Sequence, residues 1–508
     1  MTSIVSNSED FVGVILAAGI GSRLRPITKS LPKCMVKTAG RPLLEYQFDA
    51  YRNAGITELV VVVGYEGLAI RNYCKHIKDL SITIVENADY EITNNMYSFY
   101  LARKYIGRRP FILNNADLVV DQSIISTMLS SPDVSAVAID SSVFNNESMK
   151  VSVNQANFIC DISKSIPNEN SAGCSIDFYK FSLDDGQLFI AEVIKIIEIE
   201  KNLKDWTEVA LQRAFRQQKL RFSIIDVAGS DWVEIDNYDD LAIADRKFSR
   251  FDVKLADIQV VFLDLDGTVY IGDKVVAGAS DVILQLRQSG KRVYFLSNNS
   301  SKNKSDYVSK LKSMGITVSE EDIVLSTDAV IDYLNDSGCD KVHVLGTVSL
   351  KKVFLDAGFR IDVPDPEYVV IGYDSELNYE KLIAACEHIN KGVDIIATHC
   401  DLFCPSENGP IPDIGSLIQM IQLTTGKSPV KTFGKPNTEM VKSIVRKLAV
   451  EPKKILFVGD RLHTDVQMAV NLGSPSLLVL TGDTTRDDVQ ASSIQPTFIL
   501  RSIAEMIR

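Results

Sequence analysis

A chain of 508 residues, 45% hydrophobic and 24% charged, exceeds one ordinary core and fits two to four soluble globular domains. Its 54 Lys and Arg against 66 Asp and Glu give a net charge of −12, which argues against nucleic acid or an anionic membrane surface as partner. No apolar run approaches the ~18 residues of a membrane helix. The opening stretch MTSIVSNSEDF lacks a basic segment ahead of an apolar one, so no secretory signal is expected. Eight scattered cysteines build no disulfide framework and point to a reducing cytoplasm.

Residues 12–17, VGVILA, are a continuous apolar run that predicts a buried strand, followed by a turn of small residues. RPLLEYQFDAYRNAG (41–55) is apolar at helical spacing and ends in Gly55. ITELVVVVGYE (56–66) predicts a second buried strand, and PFILNNADLVVD (110–121) a third that ends in acid. This βαβ rhythm predicts an α/β domain over 11–248, doubly wound around a mostly parallel sheet. It closes at WVEIDNYDDLAIADRKF (232–248), and the charged stretch at 249–257 reads as a linker. At 260 the strand–turn–helix pattern restarts with VVFLDLDGTVY, continues through KRVYFLSNNS (291–300), and returns at KILFVGDRLHTD (454–465). A second doubly wound α/β domain is therefore expected over 258–508.

In the first half, LAAGIGSRLRPITKSLPK (16–33) follows a buried strand. Leu16, Ala17, Ala18, Gly19 and Gly21 leave backbone N–H groups free to approach a phosphate or base. Arg23 and Lys33 supply cations, which a triphosphate under attack requires because charge builds on the α-phosphate and the leaving pyrophosphate. No GKS or GKT follows, so this is not a Walker loop.

Residues 12–248 resemble the nucleotidyltransferases that make nucleotide-diphospho sugars and alcohols. ENADYEITNNMYSFYLAR (86–103) and WVEIDNYDDLAIA (232–244) resemble the phosphocholine cytidylyltransferase-like branch in particular. The resemblance implies CTP as substrate, with Asp117 in the nucleotide site and magnesium held by Asp117 and Asp236. The family often has Gly-Asp where this chain has NNAD (114–117), but Ala116 is small enough to keep the close approach. Lys150 is a candidate second cation for the acceptor phosphate, with a solvated surface lysine as the competing reading. Tyr90, Tyr97, Phe99 and Tyr100 crowd one stretch. They either form part of a cage for a quaternary ammonium group or, for Tyr97 and Tyr100 at i and i+3, pack a helix face into the core.

In the second half, Asp264 and Asp266 are two apart at a strand end, so their side chains point the same way. One carboxylate there can attack while the other moves protons. Gly267 allows a sharp turn and Thr268 is placed to steady it. Ser297 and Asn298 end a later strand with phosphate donors, Lys435 in GKP (434–436) adds a cation, and Asp460 and Asp465 follow another strand.

These four ordered motifs resemble the haloacid dehalogenase superfamily, in its 4-nitrophenylphosphatase-like subgroup. The resemblance implies Asp264 as the nucleophile and Asp266 as general acid and then base. It also implies magnesium held by Asp264, the backbone carbonyl of Asp266 and Asp460, with Asp465 behind them. Ser297, Asn298 and Lys435 would bind the phosphoryl group. An α/β cap is expected at about 338–430, inserted in the long span between Ser297 and Lys435. Where the family commonly has Thr-Asn-x-Asp, this chain has Thr398-His399-Cys400-Asp401, and Pro412-Asp413 stands where Pro-Gly is frequent. His399, Cys400 and Cys404 match no common zinc spacing and no second Cys/His pair follows, so they read as packing residues.

The sequence thus predicts a cytoplasmic bifunctional enzyme, dependent on magnesium at both sites. One half would join CTP to a small phosphorylated alcohol or phosphonate (choline, glycerol or polyol type). The other would hydrolyse a phosphate monoester. The resemblance implies a CDP-activated precursor for a surface polysaccharide or lipid as the product. The expected partners are small-molecule substrates, with no nucleic acid and no membrane, and a homo-oligomer stays open. Two alternatives compete: a sugar-1-phosphate uridylyl- or thymidylyltransferase fused to a phosphatase, or a catalytically silent regulatory module in one half.

Overall fold

A computed structural model describes residues 8–132, 134–144, 148–404 and 409–507. Residues 1–7 of the stretch inspected for a signal lie outside them. The chain divides into two compact units, Met1–Phe248 and Ser249–Arg508.

In the first unit the described residues build a sheet of nine strands. They are β1 (Val12–Ala17), β2 (Glu58–Val63), β3 (Ser81–Glu86), β4 (Phe111–Asn115), β5 (Ala136–Asp140), β6 (Lys150–Val153), β7 (Ile159–Ser163), β8 (Gly173–Phe181) and β9 (Ser223–Asp226). The main path runs β7-β6-β8-β4-β1-β2-β3, with β5 bonded to both β8 and β9. β4, β1, β2 and β3 are parallel. β9 is also parallel to β5, while β8 runs antiparallel to β4, β5 and β6, so the sheet is mixed. Alternate residues of β1 serve two cores. Val12, Val14 and Leu16 join one, while Ile15 and Ala17 join the other, as expected for a strand covered on both faces. Chain order reverses direction on either side of β1, so the loops after β1 and β4 open a crevice between them.

A two-stranded ribbon, Leu118–Val120 against Trp232–Glu234, sits beside this crevice. It brings the stretch before helix α4 back onto the end of β4. The helices used below are α1 (Leu43–Asn53), α2 (Asn95–Ile106), α3 (Thr207–Arg216) and α4 (Tyr238–Phe248).

In the second unit, residues 251–257 of the expected linker form helix α5 (Phe251–Asp257). Phe251 is fully buried in this unit's core and meets Phe498 edge to face at 5.1 Å. An aromatic residue with a packing partner ends the linker reading for that stretch. The strands are β10 (Val260–Asp264), β11 (Arg292–Ser297), β12 (Ile323–Leu325), β13 (Lys341–Leu345), β14 (Arg360–Ile361), β15 (Tyr368–Ile371), β16 (Asp394–Ala397), β17 (Lys431–Thr432), β18 (Ile455–Gly459), β19 (Ser476–Val479) and β20 (Phe498–Leu500). One parallel sheet has the order β12-β11-β10-β18-β19-β20. Its strand order reverses between β10 and β18, which places the ends of both at the topological switch point. A second parallel sheet, β14-β13-β15-β16-β17, spans 341–432 and carries helix α7 (Ile414–Thr425). Helix α6 (Lys304–Ser313) follows the β11 loop. Among the described residues no helix is long and apolar enough to cross a membrane.

Candidate active sites

The first unit holds a cleft of ≈ 1010 Å³ at its switch point. Leu16, Ala17, Ala18 and Gly19 line it, with Arg23 and Lys33 beyond. Gly21 is not in the wall but shapes it. Its φ is +65°, and a Cβ there would stand 2.9 Å from Cβ of Lys33, so glycine lets the lysine fold back over the loop. Lys33 Nζ donates to Asp117 Oδ2 at 2.8 Å and Asp236 Oδ1 at 3.0 Å, and Arg23 Nη1 donates to Asp236 Oδ2 at 2.9 Å. Burial alone would lower Lys33, but the two carboxylates outweigh it and hold the ammonium at about 12. Burial would raise Asp236, but Lys33 and then Arg23 outweigh it and hold the carboxyl below the usual carboxylate range.

The ribbon pairing explains how Asp117 and Asp236 meet across so much sequence. Glu234 pairs with Leu118, and Ile235 N–H donates to the Asp117 carbonyl at 2.9 Å. The pairing also brings in Glu234, which sequence reasoning missed. Asp117, Glu234 and Asp236 each place an oxygen within 4.8 Å of the others. Glu234 reaches the cleft surface, yet the surrounding protein, then Asp117 and Asp236, pushes it up to about 7. Asp117 Oδ1 is buried with no hydrogen-bond partner among the described residues. Hard oxygen ligands with one unsatisfied buried oxygen fit magnesium.

The opposite wall of the cleft is acidic as well. Asp177 sits at an irregularity of β8 with φ +57°, a conformation costly outside glycine. Its carboxylate accepts from Asn115 Nδ2 and the Tyr179 hydroxyl, both at 3.0 Å, while Glu208 Oε1 lies 3.0 Å from the same hydroxyl. One phenol proton cannot serve both acids. Burial, followed by the neighbouring acids, raises Asp177, and burial raises Glu208. Trp206, 45% exposed, lines the cleft beside them with Lys164 Nζ 5.4 Å from its ring centroid.

Two acceptor candidates fall elsewhere. Lys150 is 3% exposed, on β6, and outside the cleft wall. Its burial rules out the solvated surface lysine that competed with the cation reading. The cleft's lysine on that side is Lys164. Tyr97 stacks on Tyr100 at 5.7 Å on α2 and packs against the core, as the helix-face reading expects. Tyr90 does line the cleft.

In the second unit, Asp264 ends β10 and Asp460 follows β18. Asp264, Asp460 and Asp465 bring carboxylate oxygens within 4.8 Å of one another, and all three are buried. Lys435 Nζ pairs with Asp264 and donates to Asp465 at 2.7 Å. Burial raises Asp264; Lys435 opposes that rise, while Asp465 and Asp460 add to it. Burial lifts Asp460 to about 6, with Asp465 adding to the rise. Asp460 Oδ1 is buried without a partner among the described residues, and the oxygen set again fits magnesium. Gly267 has φ +85°, and a Cβ there would collide with the Asp460 carboxylate. Asp266 accepts from the Tyr270 hydroxyl at 3.3 Å, and the protein packed around it raises its carboxyl. Its side chain is not in the metal group, which leaves its backbone carbonyl for that role.

Two residues of the loop behave differently from expectation. Asn298 Nδ2 donates to Asp401 at 3.1 Å and the Lys435 carbonyl at 3.2 Å, while its Oδ1 accepts from Lys435 N at 2.7 Å. The amide is fully engaged, so Asn298 latches the loop to the GKP turn and its side chain is not a phosphate donor. Thr268 is buried and its hydroxyl has no partner among the described residues. The turn is held by backbone bonds into the Leu265 carbonyl. Ser297 Oγ lies 3.0 Å from the Tyr307 hydroxyl of α6 and accepts from Asn299 N at 3.2 Å.

Two strand-order reversals, each with clustered carboxylates around a lysine, define a pair of phosphate-handling enzyme sites. Comparison with known proteins makes this specific. Residues 12–150 match the nucleotidyl transferase family. Residues 261–360 match haloacid dehalogenase-like hydrolases and 432–506 a related haloacid dehalogenase hydrolase family. The second half is 32% identical over 247 residues to an acid sugar phosphatase of Staphylococcus aureus, covering 48% of this chain and 95% of that protein. Through its second half, the chain belongs to the haloacid dehalogenase-like hydrolase family. It joins a nucleotidyltransferase domain to a phosphatase domain. Among solved structures, a 4-nitrophenylphosphatase from Thermotoga maritima is 40% identical and covers 50% of this chain and 97% of that one, with a TM-score of 0.49. A glycerol phosphate phosphatase from Mycobacterium tuberculosis, solved with magnesium, is 29% identical and covers 50% and 78%, with a TM-score of 0.47.

Proposed function

We propose that the first domain transfers a cytidylyl group from CTP to a small phosphorylated alcohol or phosphonate, releasing pyrophosphate, and that the second hydrolyses a phosphate monoester. The observation that carries the first part is one cleft that holds two groups of acids, the second beside Trp206 and its Lys164. One group has Lys33 among Asp117, Glu234 and Asp236, and the other has Asp177, Glu208 and Trp206. Magnesium bound at the first group would neutralise charge on the transferred phosphate and the pyrophosphate. Lys33 and Arg23 add fixed positive charge there, and the small-residue loop lets backbone amides reach the nucleotide. The second group favours a cationic head. Two buried carboxylates sharing one hydroxyl are relieved by a positive charge, and an indole face attracts one. An ammonium-bearing acceptor, a phosphocholine or an aminoalkyl phosphonate, fits better than glycerol or a polyol. The product would be a CDP-activated building block for a surface polymer or lipid, made in the cytoplasm.

In the second domain, Asp264 would attack phosphorus to form an aspartyl-phosphate while Asp266 gives its proton to the leaving oxygen. Asp266 would then take a proton from the water that hydrolyses the intermediate. Lys435 pairs with Asp264 and opposes the rise that burial imposes on it, and Ser297 with the amides after it would face the phosphoryl oxygens. Magnesium among Asp264, Asp460 and the Asp266 carbonyl would offset the phosphate charge.

The test is a panel of CTP, UTP and dTTP against phosphocholine, aminoalkyl phosphonates, glycerol and polyol phosphates and sugar 1-phosphates, following pyrophosphate. CTP with an ammonium-bearing acceptor should be fastest. Preference for UTP or dTTP with a sugar 1-phosphate would replace this reading with the sugar-nucleotide one. No turnover with any pair, despite nucleotide binding, would make the domain a silent module.

A further inference from the structure

The two strings in which the second domain departs from the pattern of its relatives meet in space. His399 is fully buried, and its Nε2 lies 3.0 Å from Asp413 Oδ1. Asp413 Oδ2 accepts from the Cys404 thiol at 2.8 Å. Ligand atoms of His399, Asp401 and Asp413 all lie within 4.8 Å of one another. This group is separate from the Asp264, Asp460 and Asp465 set, and nothing in the phosphatase chemistry above uses it.

We propose that His399, Asp401, Cys404 and Asp413 form a zinc site that clamps this loop of the cap sheet to the phosphatase cleft. The donor chemistry is the first reason. One imidazole, one thiol and two carboxylates suit zinc, whereas magnesium has no use for sulfur or imidazole. The spacing is the second. Zinc bonds of about 2.0–2.3 Å in a tetrahedron put ligand atoms roughly 3.3–3.8 Å apart; the His399, Asp401 and Asp413 atoms, within 4.8 Å of one another, lie close to that spacing, and the Cys404 thiol, 2.8 Å from Asp413 Oδ2, would turn from that carboxylate to complete the set. The third reason is that donors are already oriented from outside. His399 Nδ1 faces Thr398 Oγ1 at 3.4 Å, and that hydroxyl lies 2.9 Å from Ser300 Oγ. Asp401 is held by Asn298, and Asp413 accepts from Ile414 N at 2.6 Å at the start of α7. Such outer hydrogen bonds fix ligand orientation in metal sites.

The site's role would be structural. Asn298 ties Asp401 to the backbone of Lys435, and a Cβ on Gly434 would stand 2.8 Å from Cβ of His399. The clamp therefore abuts the turn that carries the phosphate-binding lysine. The competing explanation is a metal-free His–Asp pair that braces the loop.

The experiment is metal analysis of the full chain, purified without a metal-binding tag, equilibrated with zinc and magnesium, and then desalted. One zinc per chain is expected, retained in Asp264→Asn and lost in Cys404→Ser and Asp413→Asn. The cobalt-substituted wild type should show a thiolate-to-cobalt charge-transfer band, absent in Cys404→Ser. That band needs no variant to fold, and cooperative thermal unfolding of fragment 249–508 carrying each substitution checks that the second domain is intact. Wild type that holds no zinc and gives no charge-transfer band would overturn the proposal in favour of the His–Asp brace. Zinc retained in both Cys404→Ser and Asp413→Asn would also overturn it, by placing the metal elsewhere.

Discussion

Asp117→Asn isolates the carboxylate role in the nucleotidyltransferase site, because the change alters charge but hardly alters shape. In the native site Asp117 Oδ2 accepts from Lys33 at 2.8 Å and Oδ1 has no partner among the described residues. An asparagine must turn its NH₂ one of two ways. Towards Lys33, it sets a donor against a donor. The other way, it points a donor at the position where a cation would sit. Either way one charge-assisted interaction of about 1.5–3 kcal/mol is lost, and the ligand becomes neutral. Loss of transition-state stabilisation of about 3 kcal/mol corresponds to at least ~100-fold in rate. Folding should suffer little, since Lys33 keeps Asp236 at 3.0 Å and Asp236 keeps Arg23 at 2.9 Å. The assay is pyrophosphate release from CTP and the best acceptor, with phosphate release from a monoester measured on the same preparation. The second activity is an internal control for intact protein. Pyrophosphate release within a few-fold of wild type would refute the assignment of Asp117.

Asp264→Asn should abolish phosphate release and trapping of a phosphoryl-enzyme, yet leave pyrophosphate release unchanged; retained phosphatase turnover would indicate direct attack by water. Lys435→Met leaves Asp264, Asp460 and Asp465 buried together without their cation, so thermal melting should show the second domain destabilised by about 3 kcal/mol or more. Chelation with EDTA should stop both activities and added magnesium restore them. Asp266 is raised by the protein around it, so it stays protonated, and able to donate, to higher pH than an ordinary carboxyl. Phosphatase kcat/KM should therefore fall on the alkaline side as pH rises through that raised value, and Asp266→Asn should lack this limb. Fragments 1–248 and 249–508 should each unfold cooperatively, with the cut placed before Phe251 so that its buried ring stays with the second unit.

Much was legible along the chain because each motif sits on one strand and the turn that follows it. VGVILA with its small-residue loop, and VVFLD with DGT, carry their periodicity and chemistry in consecutive residues, so the α/β class, the restart at 260 and the strand-end carboxylates Asp264 and Asp460 were legible directly, whereas Asp117 and Asp236 were named through the family resemblance. Lys150, expected as either a second cation for the acceptor phosphate or a solvated surface lysine, is buried because β6 is flanked by β7 and β8. The remaining features depend on contacts between distant segments, which no periodicity encodes. Glu234 joined the site only because the 232–234 strand pairs with 118–120. Asp177 and Glu208 converge on Tyr179 from β8 and α3, and Asn298 spends its amide on Asp401 and Lys435. His399 and Asp413 looked like two unrelated departures until the fold set them 3.0 Å apart. Sequence specifies which groups a strand end presents. Which of those groups share a proton, a charge or an ion depends on how segments tens to hundreds of residues apart pack, and only the tertiary structure decides that.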